Sequence, residues 1–342
     1  MSISRRGWLQ SIGVSSLIGA AVGRQLSGQS PESLPGSHEN HAMGLVGKVT
    51  SGTLSPTRYL HTWNFSNISE DKRAKHYSES RRPDGSLLRE YSIYAVDKEI
   101  EIAPGLFFPA WTYNEQVPGP TIRATEGDRI RVHFTNAGTH PHTMHFHGWH
   151  PPEMDGALHG QEVQPGKTFV YEFDADPFGL HLYHCHTVPL KRHIHKGLYG
   201  AFIIDPRGGR PAADEFVMVM NAFDTNFDAD NEVYAVNTVA NAYLDEPIRV
   251  KVGQLVRIYL INVTEFDLIN SLHLHGMFFD VFRTGTSTTP NEKSDTIMLC
   301  QGERAIIETT FRYPGDFMFH AHQSEFAELG WMGLFRAVAS DT

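Results

Sequence analysis

The chain has 342 residues, 40% hydrophobic and 20% charged, which marks a globular protein with enough length for two ordinary domains. A formal charge of −10 argues against a nucleic-acid partner, and only 2 cysteines exclude a disulfide framework. The unusual number is 20 histidines. In chain order, Ser4-Arg5-Arg6-Gly7-Trp8-Leu9 and the soft apolar stretch from Ile12 to Val22 resemble a twin-arginine export signal within residues 1–28. Such a signal implies a periplasmic or extracellular location. Its uncharged run carries Gln10 and three serines and is short for a stable membrane span. Residues 29–56 are polar, contain Gly, Ser and Pro, show no periodicity and are expected to be a flexible linker.

From about residue 88 apolar and polar residues alternate over short runs broken by Gly, Pro, Asn and Asp, as in Arg129–Phe134, Thr168–Phe173 and Arg304–Thr309. A period of two predicts strands, and many short strands predict an all-β sandwich or barrel. The two halves repeat each other. Gly127-Asp-Arg-Ile-Arg-Val132 is followed by His145-Phe-His-Gly148, and Gly253-Gln-Leu-Val-Arg-Ile258 by His273-Leu-His-Gly276. Phe178-Gly-Leu-His-Leu-Tyr-His-Cys-His186 answers Pro314-Gly-Asp-Phe-Met-Phe-His-Ala-His322, and Gly197-Leu-Tyr-Gly-Ala-Phe202 answers Gly330-Trp-Met-Gly-Leu-Phe335. A duplicated domain follows, with expected bounds of 57–206 and 207–342 and a Pro/Gly-rich link at 205–211.

Four His-x-His elements fall in or at the ends of these strands: His145/His147, His184/His186, His273/His275 and His320/His322. On a strand, residues i and i+2 leave the same face, so each pair can offer two imidazoles to one site. Imidazole suits copper, zinc, iron or nickel and does not choose among them. Cys185, between His184 and His186, points its thiol to the opposite face. A second site therefore lies behind the first, and a thiolate with two histidines is the arrangement of blue-copper electron-transfer centres.

These motifs resemble the two-domain, laccase-like multicopper oxidases over about residues 88–340. The resemblance implies two cupredoxin-like Greek-key β-sandwich/barrel domains in tandem and four coppers per chain. It places His145 and His273 on the type 2 copper, and His147, His184, His186, His275, His320 and His322 on the type 3 pair. For the type 1 copper it implies His142, Cys185 and His193, with Leu198 at the axial position. His195 is the alternative to His193, and could otherwise line the substrate entrance or cap a strand. In the second domain Asn270, Ala321, Phe326 and Trp331 stand at the equivalent positions, which implies a blue site in domain 1 only.

The implied activity is laccase-like: a reducing substrate (a phenol, aromatic amine or metal ion) is oxidised at an exposed edge near His193, and dioxygen is reduced to water at the trinuclear centre. That reduction consumes protons, for which Asp155 and Glu325 are the candidate acids. A copper nitrite reductase is the alternative, since that family shares the blue site and would use His147, His184 and His320. It has no use for His145, His186, His273, His275 and His322. A cuprous-ion oxidase is a further alternative, with only Met144 and Met154 close by in sequence. Family resemblance also implies a homotrimer in which each trinuclear centre forms between subunits. Cys300, beside Ile297-Met-Leu299, is expected to be a buried structural thiol.

Overall fold

The alternation in Arg129–Asn136 is what a strand with one buried face requires: Ile130, Val132, Phe134 and Asn136 point inward, and Arg131 and His133 outward. The computed structural model describes residues 47–48 and 76–339. The expected export signal at 1–28 lies outside the described residues, as do all of the expected linker except 47–48, residues 57–75 and the last three residues. The described residues fall within one compact unit spanning Leu45–Thr342.

The first half contains β1 (Gly47–Lys48), β2 (Tyr77–Arg81), β3 (Leu87–Ala103), β4 (Leu106–Tyr113), β5 (Gly119–Thr125), β6 (Arg129–Asn136), β7 (His145–Phe146), β8 (Thr168–Asp174), β9 (Gly179–His184) and β10 (Tyr199–Asp205). One sheet runs β1-β3-β6-β8 with β2 and β4 also on β3, and the other runs β5-β10-β9-β7. Ile93, Phe134, Phe146, Tyr183, Cys185 and Phe202 share the core between them. Burying each large apolar side chain contributes about 1.5–3 kcal/mol. The second half contains β11 (Asp214–Phe223), β12 (Val233–Val236), β13 (Ile248–Lys251), β14 (Leu255–Asn262), β15 (Ile269–Leu274), β16 (Phe279–Arg283), β17 (Glu292–Ser294), β18 (Thr296–Cys300), β19 (Arg304–Thr310), β20 (Gly315–His320) and β21 (Met332–Val338). Its sheets run β12-β11-β14-β19-β16-β17 and β13-β21-β20-β15-β18. Among the described residues there are three short α-helices, α1 (Leu190–His195), α2 (Ala242–Asp245) and α3 (Ser324–Glu328), and a 3-10 turn at Pro152–Met154. The protein is all-β, and no helix among the described residues is long and apolar enough to cross a membrane.

Repetition extends to backbone bonding. Gly127 and Gly253 open β6 and β14 at φ of 90° and 82°, a region that favours glycine. Their N–H groups donate to Ala175 and Phe311 carbonyls, each at 2.9 Å. The halves are joined by Arg123 to Glu215 at 2.8 Å, Leu180 N–H to Thr284 O at 2.8 Å and Asn221 Nδ2 to the Tyr199 hydroxyl at 2.7 Å.

Gly47–Lys48, inside the expected linker, pairs in parallel with β3 opposite Lys98 and Glu99. One expectation is corrected. Cys300 is exposed, not buried. Strand β18 alternates with Ile297 and Leu299 inward, which turns Met298 and Cys300 to solvent; the apolar neighbours belong to the other face.

Candidate metal centre

The first cluster is assembled by three elements. His142 is held by a two-way backbone bridge to Val163, Cys185 directly follows β9, and His193 lies on α1. The Nδ1 atoms of the two imidazoles are 3.2 Å apart; Cys185 Sγ lies 3.2 Å from His193 Nδ1 and 3.9 Å from His142 Nδ1. The Thr143 N–H donates to Sγ at 3.3 Å. Burial lowers the pKa of His142 to about 3 and of His193 to about 4, and raises that of the Cys185 thiol. Two neutral imidazole lone pairs and a thiol thus converge where a cation would draw off the thiol proton and take all three donors. Leu198, fully buried beside Cys185 in the core, offers no donor.

His193 is only 3% exposed and His142 0%, so neither imidazole itself reaches solvent. Trp111 from β4 covers both, its ring 4.7 Å from that of His193 and 5.2 Å from that of His142. His195 is not among the converging donors: it is buried against Phe108 and Phe266, and its Nε2 accepts the Asp224 N–H at 2.8 Å. That bond falls on the residue just past the end of β11, so His195 caps this strand and ties α1 to the second half.

On the opposite face of Cys185 lies a second cluster. Cross-strand pairing sets His145 beside His184, and the Nε2 atoms of His147 and His184 meet at 3.3 Å. Rings of His145 and His186 are 5.3 Å apart, and those of His184 and His186 are 5.7 Å apart. His145 Nδ1 is held by the Asp155 carbonyl at 2.8 Å and His184 Nδ1 by the Cys185 carbonyl at 3.0 Å, which leaves both Nε2 atoms for the site. Arg304 of β19 donates to His147 Nδ1 at 3.4 Å. Burial pushes His147 down to about 2 and His184 to about 4. Among these rings, the buried Nδ1 of His186 has no partner.

The second half builds the same object. His273 pairs with His320 across β15 and β20, and the Nε2 atoms of His275 and His320 meet at 3.0 Å. The Asp295 carbonyl holds His273 Nδ1 at 2.9 Å, and the Ala321 carbonyl holds His320 Nδ1 at 2.6 Å. His322 N–H donates to the Ser271 hydroxyl at 2.8 Å, as His186 N–H donates to that of Thr143 at 3.0 Å. The His322 ring stands 5.5 Å from that of His273. His275 and His322 are exposed. Among the described residues no hydrogen bond or ring contact joins this quartet to the first.

Of the two expected acids, Asp155 lies beside the first quartet: Oδ1 is 3.3 Å from His145 Nδ1 and 3.8 Å from His150 Nε2. Glu325 is exposed on α3 and joins none of the clusters able to hold a metal ion. The sequence reading missed Asp295, Arg304 and Trp111, whose roles come from contacts made across sheets and carry no spacing signal.

Models of multicopper oxidase domains match residues 97–209 and 212–341. The chain belongs to the multicopper oxidase family. A solved multicopper oxidase shares 54% identity, with 83% of this chain and 96% of that one covered and a TM-score of 0.78. The blue copper oxidase of Nitrosomonas europaea is 28% identical over 72% of this chain and 85% of its own, with a TM-score of 0.64. A copper-containing nitrite reductase from Neisseria gonorrhoeae is 31% identical over 66% of this chain, which spans 62% of that relative's length.

Proposed function

We propose that the protein is a laccase-like oxidase that couples one-electron oxidation of a small reductant to four-electron reduction of dioxygen to water. His142, Cys185 and His193 would hold one copper; His145 and His273 the type 2 ion; and His147, His184, His186, His275, His320 and His322 the type 3 pair. Bound copper would supply the redox chemistry, four ions per chain. The chain's own contribution is placement. Cys185 joins the two sites through its own carbonyl, which holds His184. Asp155 sets a carboxyl that can hold a proton beside His145. Trp111 and the buried core exclude water from the thiolate site. Export by the twin-arginine route and action outside the cytoplasm belong to the same proposal.

The observation that carries this reading is the second quartet. Similarity to the gonococcal nitrite reductase favours nitrite as the acceptor, but three imidazoles serve that reaction and five more are present. His145, His186, His273, His275 and His322 have a use only where three further coppers bind. Because the second quartet is exposed and separate from the first, we propose that it closes on the first quartet of a neighbouring copy in a homotrimer. Phenols and aromatic amines are the proposed donors. Copper quantitation with visible and paramagnetic spectra on wild type and Cys185→Ser tests the reading. Four coppers per chain, and loss in the variant of the blue band with trinuclear signals kept, are expected. Two coppers per wild-type chain with reduction of nitrite would overturn it.

A further inference from the structure

Lys196 follows α1, three residues after His193, and its side chain turns inward. The residue is 8% exposed. Its Nζ donates to the Pro109 carbonyl at 2.5 Å and lies 4.7 Å from the ring centroid of Phe227, 5.0 Å from Phe108 and 6.0 Å from Trp111. Among the described residues no carboxylate comes within ion-pair distance; Asp97, whose Oδ2 accepts the Thr139 N–H, acts on it only at longer range. Burial pushes the ammonium down to about 8, so it stays charged at neutral pH. Burying an ammonium without a counter-ion costs several kcal/mol, of which an aromatic cage returns about 2. A methionine would fill the same space without that cost.

What sets this position apart is Trp111. One face of the problem is the ammonium and the other is His193, whose ring lies 4.7 Å from the same indole. We propose that Lys196 is a positioning cation that raises the reduction potential of the His142/Cys185/His193 site, by disfavouring the more positive oxidation state of a metal held there. The inference rests on the copper assignment above. The other charge against Trp111 is Arg192, with its guanidinium 5.3 Å from the ring centroid; it is exposed and screened by salt, whereas Lys196 is not. Through Trp111 the ammonium stands no more than about 11 Å from the His193 ring; at that separation and an effective dielectric near 20, one buried charge shifts the ratio of reduced to oxidised site by about tenfold.

The test is an anaerobic redox titration of the thiolate-to-copper band in copper-loaded wild type, Lys196→Met, Lys196→Gln and Lys196→Arg, with thermal unfolding of each metal-free protein alongside. Met and Gln should lower the midpoint, equivalent to about a tenfold fall in the reduced fraction at fixed poise. Arg should keep it, and the metal-free Met variant should unfold no earlier than wild type. Gln serves the titration if Met does not fold. An unmoved midpoint in the neutral variants, or an equal fall in Arg, overturns this inference alone. A wild type without the band overturns the copper assignment and this inference with it.

Discussion

Leu198 and His181 show how single side chains set the chemistry and its pH range. Leu198, the proposed axial residue, lies in the same apolar cluster as Cys185 and offers no lone pair. Leu198→Met would place a thioether there, and a weak axial sulfur stabilises the oxidised metal. The midpoint potential of the blue site should fall and its visible spectrum shift; an unmoved midpoint would show that Leu198 is not axial. His181, 2% exposed, donates Nε2–H to the Pro177 carbonyl at 2.8 Å, and its Nδ1 is buried without a partner. Burial lowers its pKa to about 4. Between that value and the ordinary 6.5 the unfolded chain binds a proton that the folded one does not, so stability falls as the pH drops through this window. The full effect is about 3 kcal/mol. His181→Gln keeps a donor for Pro177 and cannot titrate. Its denaturant midpoint should depend less on pH between 6.5 and 4, and a slope equal to that of wild type would refute the assignment.

Strand pairing explains why one stretch of chain serves two sites, and also where reading the sequence stops. His184 and His186 share a face because β9 is extended into its final residue, and Cys185 takes the other face for the same reason. All four pairs, the repeat and both sheets' alternation were therefore legible. The choice between His193 and His195 was not, because it depends on α1 being a helix: two residues apart on a helix point about 200° apart and cannot share a site, whereas on a strand they would. Contacts between layers were equally hidden, as with Arg257. Strand register sets it opposite Glu308, and its side chain, 2% exposed, bonds Glu308 at 2.6 Å and Glu215 at 2.9 Å. Glu215 in turn holds Arg123 of the first half at 2.8 Å, so this guanidinium anchors the clip between the halves. Arg257→Met leaves two carboxylates facing each other and should cost about 3–5 kcal/mol. Arg257→Lys should recover little, since an ammonium cannot bridge two carboxylates as a planar fork does. A loss below about 1 kcal/mol on chemical denaturation would place the pair among ordinary surface ion pairs.

At the scale of the whole molecule, the two quartets pose a problem of closure. In each, three imidazoles bring ligand atoms around one point, His145, His147 and His184 in the first and His273, His275 and His320 in the second; the proposed trinuclear centre needs both sets, and the second quartet is exposed at His275 and His322. A cyclic assembly answers this by setting the second half of one copy against the first half of the next, so every ring interface completes one centre. That geometry predicts complementation. His147→Ala spoils the first quartet and His275→Ala the second, and each variant alone should lose dioxygen consumption. When the two are mixed and allowed to exchange subunits, an interface combining the intact first half of one with the intact second half of the other is fully restored. Random assortment makes this about a quarter of all interfaces. Activity should recover to about that fraction of wild type, with a trimer mass by light scattering. If the centre closed within one chain, every copy in the mixture would still carry a broken quartet and no activity would return.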